Sequence, residues 1–141
     1  MNDQSFAANG AFLLRISLGV MTLAHALLKI FVFTIPGTVG FFASLGLPAA
    51  VAYLTIAAEL IGGLALIGGL YTRTAALALV PVLLGAAWAH SGNGWVFSNQ
   101  GGGWEYPVFW TVTLLVQALI GSGAYALDNV MGARKSAVAT A

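Results

Sequence analysis

Four apolar stretches alternate with short polar connections along the chain, and they predict four membrane-spanning helices. The stretches are Gly10–Thr34, Pro48–Leu70, Thr72–His90 and Tyr106–Leu127. Each is close to the roughly 20 mostly apolar residues that an α-helix needs to cross the hydrocarbon core of a bilayer. The pattern therefore predicts an all-α membrane protein, an antiparallel bundle of four transmembrane helices.

The balance of residue types places the chain in a membrane rather than in water. Only 6% of its 141 residues are charged and 60% are hydrophobic, whereas a soluble domain carries about 25% charged residues. The chain contains no cysteine, which excludes disulfides, thiolate nucleophiles and iron–sulfur clusters built from its own side chains. The formal net charge of +1 comes without a basic patch, so no nucleic-acid partner is expected.

Cationic residues near the ends of the predicted spans indicate the orientation of the chain. On a four-span path, those residues all fall on one side: Arg15, Arg73, Arg134 and Lys135. The connections on the other side contain neither Lys nor Arg, so the positive-inside rule predicts cytoplasmic N- and C-termini. Arg15 and Arg73 are interpreted as orientation anchors. Residues 1–132 are assigned to a single four-helix transmembrane domain and residues 133–141 to a short cytoplasmic tail.

Glu59 is the sole charged residue in the second apolar stretch. An ionisable side chain at such a depth is costly in lipid and indicates a functional site. At a helical rise of about 1.5 Å per residue, Lys29 and Glu59 both lie roughly 21 Å above the cytoplasmic level, and His25 lies roughly 15 Å above it. His25 and Lys29 are four residues apart and share a helix face. These three residues are the catalytic candidates.

A second set of polar and aromatic side chains is expected around the same internal pocket. Tyr106, Trp110 and Gln117 recur at helical spacing on the fourth span, so they share one face of that helix. His90 and Glu105 lie near the outer ends of their spans. We interpret these five residues as cofactor-binding candidates around a polar pocket that opens outward.

Structural roles remain open as alternatives for the same residues. Lys29 and Glu59 can form a buried ion pair without any ligand, since a pair satisfies both charges. His25 can be a hydrogen-bonded packing residue. Interfacial or packing roles are open for the other candidates: His90, Glu105, Gln117 and the aromatic residues Tyr106 and Trp110.

The potential metal ligands are two histidines and two carboxylates: His25, His90, Glu59 and Glu105. No close pair among them has a diagnostic spacing, and Lys29 on the same face as His25 repels a cation. We therefore predict no metal site. A haem between the two histidines is the weaker alternative.

Three stretches combine these polar residues with glycines at fixed spacings. They read Arg15-x-x-x-Gly19 with His25-Ala26-x-x-Lys29, then Glu59-x-x-Gly62-Gly63-x-x-Leu66 with Gly69-x-x-x-Arg73, and finally Glu105-Tyr106-Pro107 with Gly121-Ser122-Gly123-Ala124-Tyr125-Ala126-Leu127-Asp128. In this order they resemble the DoxX-like family of small four-helix bacterial membrane proteins, over nearly the whole chain. Ala26 is a departure, because that family usually has Gly at this helix contact.

The resemblance implies a multi-pass protein of the bacterial inner (plasma) membrane. Relatives in that family are associated with quinone-linked sulfur oxidation or with resistance to thiol and oxidative stress. Because this chain has no cysteine, it cannot carry sulfur as a persulfide. The resemblance therefore favours a quinone-facing or accessory role.

Three functions are compatible with the sequence. The first is a redox-linked component that binds a quinone, either ubiquinone or menaquinone. There, His25 or His90 and Lys29 or Gln117 would hydrogen-bond the headgroup, Glu59 would relay protons, and an aromatic ring would stack on it. The electrons would come from a redox partner protein. The second is a non-catalytic accessory or scaffold subunit of a membrane complex. The third is a small-molecule or proton pathway, for which a homo-oligomer would double the number of spans.

Overall fold

The structure is a computed structural model that describes residues 2–131, and this part of the chain contains helices and turns but no β-strand. Five complete α-helices follow one another within these residues: α1 (Asp3–Leu27), α2 (Ile35–Ser44), α3 (Ala49–Gly68), α4 (Thr72–His90) and α5 (Glu105–Ile120). The chain is helical again over residues 127–131. A π-helical turn (Leu28–Val32) extends α1, and a 3₁₀ turn (Ser91–Asn93) extends α4. The predicted all-α class is confirmed, while the tail predicted for residues 133–141 lies outside the described residues.

Three helical stretches within residues 2–131 are long and apolar enough to cross a membrane: Asp3–Val32, Ala49–Gly68 and Thr72–Asn93. The shorter apolar helices are α2 and α5. With 16 residues, α5 is about 24 Å long at a rise of ~1.5 Å per residue, against a hydrocarbon core of ~30 Å. The predicted helix Tyr106–Leu127 is wrong at its C-terminal end. The chain leaves the helix at Gly121, whose φ of 85° ends the helical backbone.

The connection between the first two long helices forms a helix of its own. Thr34 adopts a φ of 64° and breaks the path of α1, and its hydroxyl oxygen accepts a hydrogen bond from the Gly37 N–H at 3.3 Å. Pro36 occupies the first turn of α2, where its missing N–H would have no helical partner. The short helix α2 then packs against α3 and against the π-helical turn.

Glycines allow α1 and α3 to approach each other backbone to backbone. A Cβ atom on Gly19 would lie 2.9 Å from the backbone nitrogen of Ile67, and one on Gly63 would lie 2.9 Å from that of Leu23. Small residues permit such close approach between membrane helices, where lipid supplies no hydrophobic drive for association. The inward faces of α1 and α3 are therefore held in direct contact.

Helices α1, α3, α4 and α5 pack in a closed order around one apolar core. α1 lies along α3, α3 along α4 and α4 along α5, and α5 returns to α1 through a smaller contact. The core is built mainly from α4 and α5, with Leu79, Leu83, Trp110 and Leu114 all buried. This order lets side chains from α1, α3 and α5 meet.

Candidate functional site

Lys29 and Glu59 form a buried ion pair between the π-helical turn and α3. The Lys29 Nζ donates to both carboxylate oxygens, at 2.8 Å from Oε1 and 2.9 Å from Oε2. The two side chains are 18% and 7% exposed, respectively. Each charge therefore has its partner at a depth where either alone would be costly. The equal depth inferred from the helical rise agrees with this contact.

The π-helical turn positions Lys29 and ties it to α2. The backbone carbonyl of Lys29 accepts a hydrogen bond from the Thr38 hydroxyl at 2.9 Å, and Thr38 is buried. π-Helical turns are rare and occur frequently at functional sites. The local widening of the helix and the Thr38 contact together fix where the ammonium group meets Glu59.

His25 lies one turn before Lys29 and packs against two aromatic rings of α5. Its ring centroid is 4.9 Å from that of Trp110, edge to face, and 6.4 Å from that of Tyr106, stacked at 30°. We refer to His25, Lys29, Glu59, Tyr106 and Trp110 as the intramembrane cluster.

Two nitrogen atoms of the intramembrane cluster lack a hydrogen-bond partner among the described residues. His25 Nδ1 lies 2.9 Å from the Met21 carbonyl oxygen. A carbonyl can only accept, so Nδ1 donates, and in the neutral form of the ring Nε2 then keeps a lone pair. The Trp110 Nε1–H is buried and unpartnered, although buried donors are normally paired. Two contacting rings thus present one acceptor and one donor that the described residues do not use.

Two other predicted site residues bind the connection between α4 and α5 instead of the intramembrane cluster. His90 Nδ1 donates to the Gly101 carbonyl at 2.9 Å. The Glu105 carboxylate accepts from the Phe97 N–H at 3.3 Å, at the beginning of α5. Within residues 2–131, no three His, Cys, Asp or Glu side chains lie close enough together to hold a metal ion.

Gln117 also lies outside the intramembrane cluster. It is fully buried, and its Nε2 donates to the Gly121 carbonyl at 2.6 Å, where α5 ends. Its Oε1 has no hydrogen-bond partner among the described residues. The geometry corresponds to the packing role considered for this residue, because its amide holds the backbone just beyond the helix.

Arg15, interpreted from sequence as an orientation anchor, has a different position in the structure. Its side chain is completely buried and donates to four backbone carbonyls: Leu66 at 2.7 Å, Ile67 at 2.8 Å, Ser122 at 2.9 Å and Ala124 at 3.2 Å. These carbonyls belong to the end of α3 and to the segment after α5. Arg15 therefore joins three parts of the chain. Sequence reasoning missed this role because a cation near a span end normally reaches water.

The helices and the buried ion pair define a helical membrane protein with a polar cluster in its apolar interior. The DoxX family model matches residues 10–92, which include the Arg15, His25, Lys29 and Glu59 positions. The chain belongs to the DoxX family, which confirms the resemblance seen in its motifs.

The chain is also similar to a bacterial protein of comparable length. The protein named "Putative oxidoreductase CatD" from Bacillus subtilis (strain 168) is 34% identical to this chain over 119 residues, which cover 84% of each protein. No solved structure matches the chain.

Proposed function

We propose that this protein is a quinone-linked oxidoreductase component of the bacterial inner membrane, with a quinol headgroup beside His25, Tyr106 and Trp110. The observation that carries the proposal is the unused pair of ring nitrogens, an acceptor at His25 Nε2 and a donor at Trp110 Nε1. A phenolic hydroxyl donates and accepts at once, so it complements both atoms. The oxidoreductase in the name of the Bacillus subtilis relative supports the redox class.

A proton released at the headgroup would pass first to His25. The neutral ring has its lone pair on Nε2, and an imidazole is the side chain best suited to accept a proton near neutral pH. Glu59 is held by Lys29, which lies one helical turn beyond His25. The carboxylate would stabilise the imidazolium that forms. A bound quinol supplies the two-electron redox chemistry, and these residues bind it and move the proton.

Tyr106 is the side chain that would admit the headgroup. Its ring is 42% exposed, whereas Trp110 beneath it is only 4% exposed. The Tyr106 hydroxyl makes only a weak contact, 3.9 Å to the Met21 sulfur. Rotation of this ring would open the space over His25 at low cost. Trp110 would then contribute its N–H without leaving the core.

The proposed membrane topology has four spans with both termini in the cytoplasm. α5 would be the fourth span, and the turn at Gly121 would lie at the cytoplasmic edge of the bilayer. Because the bound form proposed here is the quinol, its two electrons and its second proton would pass to a redox partner protein, since the chain has no cysteine with which to build an iron–sulfur or dithiol centre of its own. A homo-oligomer is compatible with this arrangement.

A non-catalytic accessory role is the second candidate, and the geometry of the ion pair favours it. Lys29 Nζ already contacts both oxygens of Glu59, so this pair needs no ligand to be satisfied. In that case the intramembrane cluster would fix helix register within a larger complex. The two candidates differ in whether quinol affinity depends on the cluster.

The test is titration of the purified protein with ubiquinol and menaquinol analogues, followed by quenching of tryptophan fluorescence. His25→Phe keeps a ring against Trp110 and removes both nitrogens, and we expect about a fivefold or larger loss of affinity, as for one hydrogen bond. His90→Phe is the matched control, since His90 binds a loop carbonyl outside the cluster. Equal affinity in wild type and His25→Phe would remove the quinol assignment and leave the accessory role.

A further inference from the structure

A cavity of about 270 Å³ opens where α4 begins, and no member of the intramembrane cluster lines it. Its walls are formed by Tyr71, Thr72, Arg73, Thr74, Ser122 and Asp128. Because α4 starts one of the stretches long enough to cross a membrane, the cavity lies at the end of a span, where lipid headgroups begin. Two exposed tyrosines, Tyr71 and Tyr125, suit that level, since such residues collect at membrane interfaces.

One wall of the cavity carries hydrogen-bond donors for an anion. The backbone N–H groups of Arg73 and Thr74 lie in the first turn of α4, where no helical carbonyl is available, and they have no other partner among the described residues. The Arg73 guanidinium lies beside Gly121, where an added Cβ would be 3.4 Å from Nη2. Arg73 forms no ion pair within residues 2–131.

The Thr72 hydroxyl provides an independent indication of a ligand. Thr72 is 1% exposed and lines the cavity, yet its Oγ1 has no hydrogen-bond partner among the described residues. A buried hydroxyl without a partner costs about 1–3 kcal/mol, so such atoms are rare unless something else satisfies them. A ligand oxygen in the cavity would do so.

The cavity also contains a carboxylate, which distinguishes it from a simple anion site. Asp128 Oδ1 accepts from the Tyr71 N–H at 2.8 Å, and Oδ2 accepts from the Thr72 N–H at 3.1 Å. Each carboxylate oxygen can accept a further hydrogen bond. The cavity therefore pairs a cationic side with an anionic side.

We propose that this cavity binds the headgroup of a phospholipid in which a phosphodiester is joined to a primary ammonium group, as in phosphatidylethanolamine. The phosphate oxygens would meet Arg73, the free N–H groups of α4 and the Thr72 hydroxyl, since helix N-termini and guanidinium groups both favour phosphate. The ammonium group would donate to Asp128. A purely anionic headgroup would face the Asp128 charge, and a quaternary ammonium has no N–H to donate. The proposal is independent of the quinol site.

The test is native mass spectrometry of the full chain in detergent with equimolar phosphatidylethanolamine, phosphatidylcholine and phosphatidylglycerol. We expect about tenfold preferential retention of phosphatidylethanolamine, as for one charge-assisted contact. Equal retention of the three lipids would overturn the proposal. Displacement of phosphatidylethanolamine by an equal concentration of soluble glycerophosphoethanolamine would show that the ligand is a soluble phosphodiester and overturn the lipid assignment.

Two variants separate binding from folding. Arg73→Gln should lower phosphatidylethanolamine retention about tenfold, because the main cationic group is lost. Thr72→Val should lower it about fivefold while leaving thermal stability in lipid-free detergent unchanged or higher, because the hydroxyl has no protein partner to lose. Thr55→Val on α3 is the matched control and should change neither quantity. Unchanged retention in both Arg73→Gln and Thr72→Val would also overturn the proposal.

Discussion

Replacing Arg15 with Lys tests whether the buried guanidinium holds the helix ends together. The substitution keeps the positive charge, although an ammonium is more strongly hydrated than a guanidinium and costs more to bury. It changes the number and direction of the donors. A guanidinium has five N–H donors in a rigid fork, whereas an ammonium has three. An orientation anchor, in contrast, would work equally well with either residue.

The expected loss follows from the contacts of Arg15. Four carbonyls accept from its guanidinium, and they belong to Leu66, Ile67, Ser122 and Ala124. The Leu66 carbonyl also accepts from the Gly69 N–H, so it keeps one partner. Lys can serve at most three of the four carbonyls, and a hydrogen bond to a charged donor contributes about 1.5–3 kcal/mol. We therefore expect the free energy of unfolding to fall by at least about 2 kcal/mol.

The assay is reversible unfolding of the purified protein in mixed micelles, followed by far-ultraviolet circular dichroism as the denaturing detergent is increased. Arg73→Lys is the matched control, because Arg73 is exposed and makes no ion pair within residues 2–131. It should change the free energy of unfolding by less than about 0.5 kcal/mol. If Arg15→Lys were as stable as wild type, the carbonyl contacts would not contribute to stability, and the interpretation as an orientation anchor would stand.

Two further predictions concern helix contacts. Glu59→Gln should lower the free energy of unfolding by about 3–5 kcal/mol, because it leaves the Lys29 charge buried without its partner. In the same unfolding assay, adding Lys29→Met should restore much of that loss, and additive losses in the double variant would contradict the ion pair. Gly63→Ala should lower the free energy of unfolding by about 1–3 kcal/mol, because the added methyl pushes α1 away from α3. Gly85→Ala is the control, since a Cβ there would meet nothing within 4 Å, and it should raise the free energy of unfolding by up to about 1 kcal/mol. Equal effects of the two variants would contradict the close approach of α1 and α3.

The membrane class and the Lys29–Glu59 contact could be predicted from sequence for a simple reason. Apolar length reports a span directly, and the helical rise converts sequence position into depth along it. Two opposite charges at equal depth in lipid are expected to pair, because an unpaired charge there is costly. The position of a residue along the helix axis could therefore be predicted from sequence, and the observed ion pair agrees with that prediction.

The rotation of a helix about its own axis was harder to predict from sequence. Tyr106, Trp110 and Gln117 share one face by spacing, yet the first two contact His25 while Gln117 bonds the Gly121 carbonyl. The end of α5 was also missed, although Gly121-Ser122-Gly123 follows Ile120 and glycine commonly ends a helix. The apolar residues from Ala124 to Leu127 extended the predicted span past that signal.

The sequence by itself determined that this is an all-helical membrane chain with charges too deep to be solvated, since both follow from composition and spacing along one dimension. Only the tertiary structure decided which groups those charges meet. Arg15 turned inward to backbone carbonyls, and Asp128 reached the first turn of α4. Helices surrounded by lipid are apolar on every side, so the sequence has no polar face that indicates which side of each helix faces its neighbours. The rotation of each helix is set by close packing at glycines and by buried hydrogen-bond donors that need acceptors.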